Sequence, residues 1–222
     1  MKLNELRDTS YEIAKSKGWH DDELKRSFAD LMALVISELA EALEEHRKGK
    51  PPRNIEYAKD GKVACTYSPK DGTPSPASYS TALSLVESGH KPEGIVIEIA
   101  DTMIRLGDCA GKYNLDLGEC DDVRSVSEIV NSTEVEQLNV EEPRSFGEWF
   151  CEICHPLCEL GMKPQVGGSP PESREIWLGV AITSICSLAH SLGITGEELE
   201  RAIEIKHAYN RTRSYRHGGK VL

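Results

Sequence analysis

"IVIEIADTMIRLGDC", residues 95–109, decides how the chain is read. Ile95, Val96, Ile97, Ile99, Ala100, Met103, Ile104 and Leu106 leave almost no polar face, so this segment reads as a buried helix. Yet Glu98 and Asp101 are set into it, three residues apart and therefore on one side. A buried carboxylate is costly, and a second one nearby raises the cost. Something must compensate both.

Upstream, "SFADLMALVISELAEALEEHRKG", residues 27–49, carries the same spacing in Glu38 and Glu41. Ser27 with Asp30 three residues later forms a capping box, and Gly49, Pro51 and Pro52 stop the helix. Leu31, Val35, Leu39 and Ala42 recur at helical spacing. Alone, Glu38 and Glu41 read as a solvated face, as Glu44 and Glu45 do. Taken with Glu98 and Asp101, they read as two facing acid pairs inside a bundle. Hard divalent cations such as Mg²⁺ or Mn²⁺ take such oxygens and keep waters for phosphate ligands.

Further out, residues 4–17 form a first helix ended by Gly18. Residues 53–93 differ in character: Asp60-Gly61 suits a small hairpin, and the rest, with Asp71-Gly72, reads as a loop insertion. Residues 119–145 read as an acidic, solvated linker holding at most a short helix. A helix disturbed by Pro156 follows, then a loop at 165–173 and an apolar helix ended by Gly193. Thr195 with Glu198 opens a last helix to about Asn210.

An internal repeat is expected. Laying residues 95–117 over 176–196 puts Glu98 on Gly179 and Asp101 on Ile182, and Ile99-Ala100-Asp101-Thr102 on Val180-Ala181-Ile182-Thr183. The upstream helices then place Glu38 and Glu41 on Glu152 and His155. The fold expected is an all-α helical bundle, a degenerate tandem repeat or pseudo-dimer, with an insertion. Residues 1–118 form the catalytic unit, 119–145 the linker and 146–222 the degenerate second unit.

These motifs resemble the MazG-like proteins and dimeric dUTPases, the all-α nucleoside triphosphate pyrophosphohydrolases, whose signature is ExxE, a spacer and ExxD. The likeness covers residues 15–52, 91–118 and 190–222, with a far longer spacer here than is usual. It implies metal-dependent hydrolysis of a nucleoside triphosphate substrate to the monophosphate and pyrophosphate. Glu38, Glu41, Glu98 and Asp101 match the metal ligands, and Lys206 and Asn210 match positions that touch substrate. Arg213 would add a further donor. Glu41 is assigned to orient or deprotonate the attacking water. Trp19 either stacks on the base or, the preferred reading, is simply a buried hydrophobic residue. The alternative function is a non-catalytic nucleotide-binding or interaction protein that keeps the fold. The resemblance also allows a homo-oligomer.

Composition narrows the field. A net charge of −11 argues against nucleic acid or an anionic membrane as partner. Seven cysteines, an odd number, and an opening without an apolar run suggest reduced thiols and a cytoplasmic location. Cys151, Cys154, His155 and Cys158 could ligate zinc, but they crowd into one or two helical turns, so buried structural thiols are the preferred reading. His217 to Lys220 is either a phosphate-touching tail or a loose terminus.

Overall fold

The computed structural model describes residues 1–21, 24–69, 76–118, 124–132, 135, 144–162 and 171–216. Among these, helices dominate: α1 (Leu3–Ser16), α2 (Phe28–Arg47), α3 (Pro76–Glu87), α4 (Ile95–Tyr113), α5 (Val126–Val130), α6 (Phe146–Gly161), α7 (Pro171–Ser191) and α8 (Gly196–Thr212). Three short strands, β1 (Ile55–Lys59), β2 (Lys62–Tyr67) and β3 (Lys91–Glu93), form an antiparallel sheet in the order β2-β1-β3.

Helix α4 is the axis. Every residue from Ile95 to Ala110 is buried except Arg105. Helices α1, α2 and α8 pack around it, α6 packs on α2, and α7 packs on α6. Two glycines make α4 possible. A Cβ on Gly111 would lie 2.4 Å from Tyr11 Cβ, so only glycine lets α1 approach this closely. Gly94, at φ +127°, starts the helix in a conformation that side chains rarely adopt, with the Asn54 carbonyl 2.5 Å from where a Cβ would stand.

Local signals decide the helix ends. Ser27 and Asp30 close a reciprocal cap on α2, and Thr195 and Glu198 do the same on α8. Gly193 turns the chain at φ +73°. At the hairpin, Asp60 and Gly61 both take positive φ between Lys59 and Lys62, as a two-residue turn requires.

Two segments differ from expectation. Beyond the hairpin the insertion is not all loop: α3 buries Ala82 and Val86 and packs on α8. Its Ser- and Thr-rich sequence has a weak apolar stripe, and the packing surface supplied by α8 decides its structure. Asp71-Gly72 lies outside the described residues. The acidic segment is not simply a solvated linker either. Ser125 and Glu128 cap α5, whose Val126, Ile129 and Val130 are buried against α7 and α8. The Val126 amide donates to the Met1 carbonyl at 2.9 Å, tying this segment to the start of the chain. Helix α6 continues through Pro156, which is buried. Helix α7 starts at Pro171, inside the stretch expected to be loop. No single helix among the described residues is long and apolar enough to cross a membrane.

Candidate functional site

Glu38 from α2 and Glu98 and Asp101 from α4 converge, each 8% exposed or less. One carboxylate oxygen from each lies within 4.8 Å of the other two. Among the described residues this is the one group of three or more His, Cys, Asp or Glu side chains that comes together in this way. Two cations answer them. Lys206 Nζ stands 2.9 Å from Asp101 Oδ2 and 3.8 Å from Glu98 Oε2. Arg105 holds Glu38 Oε1 through Nε and Nη2, both at 3.0 Å.

The compensation is uneven. Burial drives Asp101 up, but Lys206 and Arg105 outweigh it and hold that carboxyl below its usual range. Burial pushes Glu98 up to about 7; Lys206 opposes this, and the nearby acids Asp101 and Glu41 add to it. Glu38 is raised by burial and then by Asp101. Glu98 and Glu38 are thus left incompletely compensated, chiefly because they are buried. Three hard oxygen donors in that state suit a divalent cation such as Mg²⁺ or Mn²⁺.

Glu41 is placed differently from its partner on α2. It is exposed and outside the three-acid group, at the wall of the same cavity. That cavity measures about 780 Å³ including its open part. Around the acids its lining is basic, with Arg26, Lys91, Arg105, Lys206 and Arg213. A second hollow of about 460 Å³ adjoins it and shares Trp19, Asp101, Arg105 and Arg213.

The four residues considered for substrate contact separate here. Trp19, 6% exposed, and Arg213 stand where the two hollows meet. Asn210 lines the second hollow alone. Lys206 lines the first and is already engaged with Asp101. Lys206 therefore belongs to the carboxylate cluster at least as much as to any ligand.

Reading the sequence missed several groups. Arg26 is buried and lines the carboxylate cavity. Its Nη2 donates to the Trp19 carbonyl, while Nε and Nη1 have no partner. Its guanidinium lies over the Trp19 ring at 4.8 Å. Nothing in "LKRSF" separates Arg26 from an ordinary surface cation. Arg105 and Asp108 did leave a signal, because they extend the polar stripe of Glu98 and Asp101 at helical spacing. Asp108 Oδ1 meets His20 Nε2 at 2.5 Å. His207, beside Lys206, is hydrogen-bonded to Ser10 Oγ at 2.9 Å, and burial followed by Arg211 pulls it down to about 4. It is neutral under ordinary conditions.

The cysteine run needs correcting. Cys151, His155 and Cys158 are exposed and Cys154 is half-buried; among the described residues the buried thiols are Cys109 and Cys186. The run lies along the outer face of α6, which spacing alone does not reveal. Burial pushes the Cys154 thiol up to about 11. His217 to Lys220 lies outside the described residues. Just before it, Arg216 binds back on the α1–α2 turn, its amide donating to Lys17 O at 2.9 Å and its Nη2 meeting Asp21 at 2.8 Å.

No protein-family model, curated protein or solved structure matches this chain. What the site can do follows from its groups. Buried acids suited to a divalent cation sit beside a basic wall that includes unpartnered guanidinium N–H groups. That combination suits a polyphosphate.

Proposed function

We propose that the chain is a metal-dependent pyrophosphohydrolase of nucleoside triphosphates, of the MazG-like and dimeric dUTPase kind. The observation that carries this is the convergence of Glu38, Glu98 and Asp101 from helices sixty residues apart in sequence, with Glu41 and a basic wall beside them. Glu38, Glu98 and Asp101, with Glu41 at the mouth, would hold Mg²⁺ or Mn²⁺. Bound there, the ion neutralises phosphate charge and polarises the attacked phosphorus.

The protein's own groups do the rest. Arg26 and Arg213 donate to phosphate oxygens, and Arg26 thereby gains the partners it lacks. Trp19 holds the wall between the two hollows. Glu41, exposed and able to meet solvent, takes a proton from water as its oxygen adds to phosphorus. The anhydride bond between the α and β phosphates breaks, and the bridging oxygen leaves with pyrophosphate.

The tandem repeat belongs to the same reading. Helices α2 and α4 pack as one pair and α6 and α7 as another, and α2 touches α6. We read these as two units with one site, the second having lost its acids. The cytoplasm, where such triphosphates are made and used, is the compartment this activity fits.

The rival reading is a non-catalytic nucleotide-binding protein. The 2.9 Å contact of Lys206 with Asp101 favours it, because that ammonium satisfies the acid without a metal. Mixed triphosphates with Mg²⁺ or Mn²⁺ separate the two. Pyrophosphate release is expected, and Asp101→Asn should lower it by at least about a hundredfold. Binding without release supports the rival, and full activity in Asp101→Asn overturns the metal assignment.

A further inference from the structure

Beside the sheet lies another cleft, of about 400 Å³ including its open part. It shares no lining residue with the carboxylate cavity. Helix α8 stands between them: Ile205 lines the cleft, while the next residue, Lys206, reaches the acids. Three tyrosines from three elements wall the cleft, Tyr57 on β1, Tyr67 on β2 and Tyr79 on α3. Ala82, Val96 and Ile205 give it an aliphatic lining.

Two features specify a ligand. The first is charge. Arg53 grips Glu198 with Nε at 3.0 Å and Nη2 at 2.7 Å. Arg201 pairs with Glu204 at 2.7 Å and lies 4.4 Å over the Tyr79 ring. Both guanidinium groups are matched, so an anion finds no free countercharge there. The second is Tyr57. It is 1% exposed, and its hydroxyl has no hydrogen-bond partner. Buried polar groups are rarely left unmatched, and one beside a cleft marks where a partner is wanted. Burial lifts this hydroxyl well above its usual range, so it keeps its proton and donates.

We propose that the cleft is a second binding site, for a neutral planar heteroaromatic ring whose acceptor atom takes the Tyr57 hydrogen bond. Ring faces prefer rings, and the aliphatic lining excludes water behind them. The site is independent of the metal and of the proposed hydrolysis.

The test uses the whole chain with a chelator present, so that no divalent cation contributes. Benzimidazole and indole are titrated separately, followed by methyl NMR. The two rings differ by one nitrogen, and that nitrogen is the acceptor; the buffer is kept basic enough to leave benzimidazole neutral. Shifts are expected at Ala82, Val96 and Ile205, with benzimidazole binding tighter. Tyr57→Phe should weaken benzimidazole about fivefold and leave indole unchanged, the loss of one hydrogen bond. Its melting temperature without ligand should not fall, because the hydroxyl lost had no partner. Ala82→Leu should fill the cleft and abolish both titrations. Equal affinities for the two rings, shifts centred on the carboxylate cavity, or unchanged benzimidazole binding in Tyr57→Phe would each overturn the proposal and leave a cleft that holds water only.

Discussion

Helices α4 and α7 are both long and largely apolar, and in the repeat register proposed above they differ at each position of one stripe. On α4 the stripe is Glu98, Asp101, Arg105 and Asp108. In the repeat register the same positions on α7 are Gly179, Ile182, Cys186 and Ala189. Ile182, Cys186 and Ala189 are 1% exposed or less, so α7 fills its seam with apolar atoms. Helix α4 keeps charges in its seam and needs Lys206 and Arg105 to tolerate them. An ion pair buried in this way is weak evidence for stability, since apolar replacements often do as well or better. The charged seam is therefore the one whose retention calls for a functional reason.

The harshest way to break the comparison is to move an acid across it. Ile182→Asp places a carboxylate among the core residues around Ile185 and Cys186. It should cost about 5 kcal/mol, from lost apolar burial plus an uncompensated charge. Urea unfolding measures it, and a loss under about 1 kcal/mol would mean that α7 still tolerates charge as α4 does.

Removing the cation from the charged seam comes next. Lys206→Met strands Asp101 and Glu98 and should cost about 4 kcal/mol without metal. Mn²⁺ should restore part of that, since it supplies the missing charge. A variant as stable as the parent in chelator would show that Lys206 does not compensate the acids.

The subtlest contrast is in pH. Glu98 stands at about 7 in the fold against a usual 4.5, so the folded chain holds this proton more tightly. Its contribution is complete below pH 4.5 and is lost as pH rises through about 7. His207 stands at about 4 against 6.5. Its contribution is complete above pH 6.5 and is lost as pH falls through about 4. Between these limits the two slopes oppose, each roughly 1.4 kcal/mol per pH unit. In chelator Glu38, also raised by burial, adds to the Glu98 side of this balance. Glu98→Gln should expose a stability that rises with pH, by about 3 kcal/mol in all, and His207→Gln one that falls by a similar amount. Two variants with the same pH dependence as the parent would remove both shifts.

Much of this was legible in sequence, wherever the cause is local. The Ser27–Asp30 and Thr195–Glu198 boxes, the Asp60-Gly61 turn and the buried α4 each depend on neighbours a few residues away. The acid spacing was equally plain, and three of the four acids do meet. What was not legible depends on distant partners. Helix α3 forms against α8, and α5 against α7 and α8, so their weak patterns read as loop and linker. Arg26 is an unremarked cation until the fold buries it against Trp19. The outer position of the Cys151–Cys158 run depends on which face α6 turns to α2 and α7, and the spacing of the cysteines does not say.

Glu198 has a consequence for any attempt to shorten this chain. Its Oε2 accepts from the Thr195 amide at 3.0 Å, closing the start of α8, while both its oxygens accept from Arg53, 145 residues earlier in the sequence. One carboxylate is thus both the first fastening of the helix that carries Lys206 and the anchor for the segment between α2 and α4. That segment reads as an ornament on the bundle, but Arg53, Ile55 and Tyr57 cannot be trimmed away without loosening the helix at its root. The stretch between the two acid-bearing helices is structure that the bundle depends on.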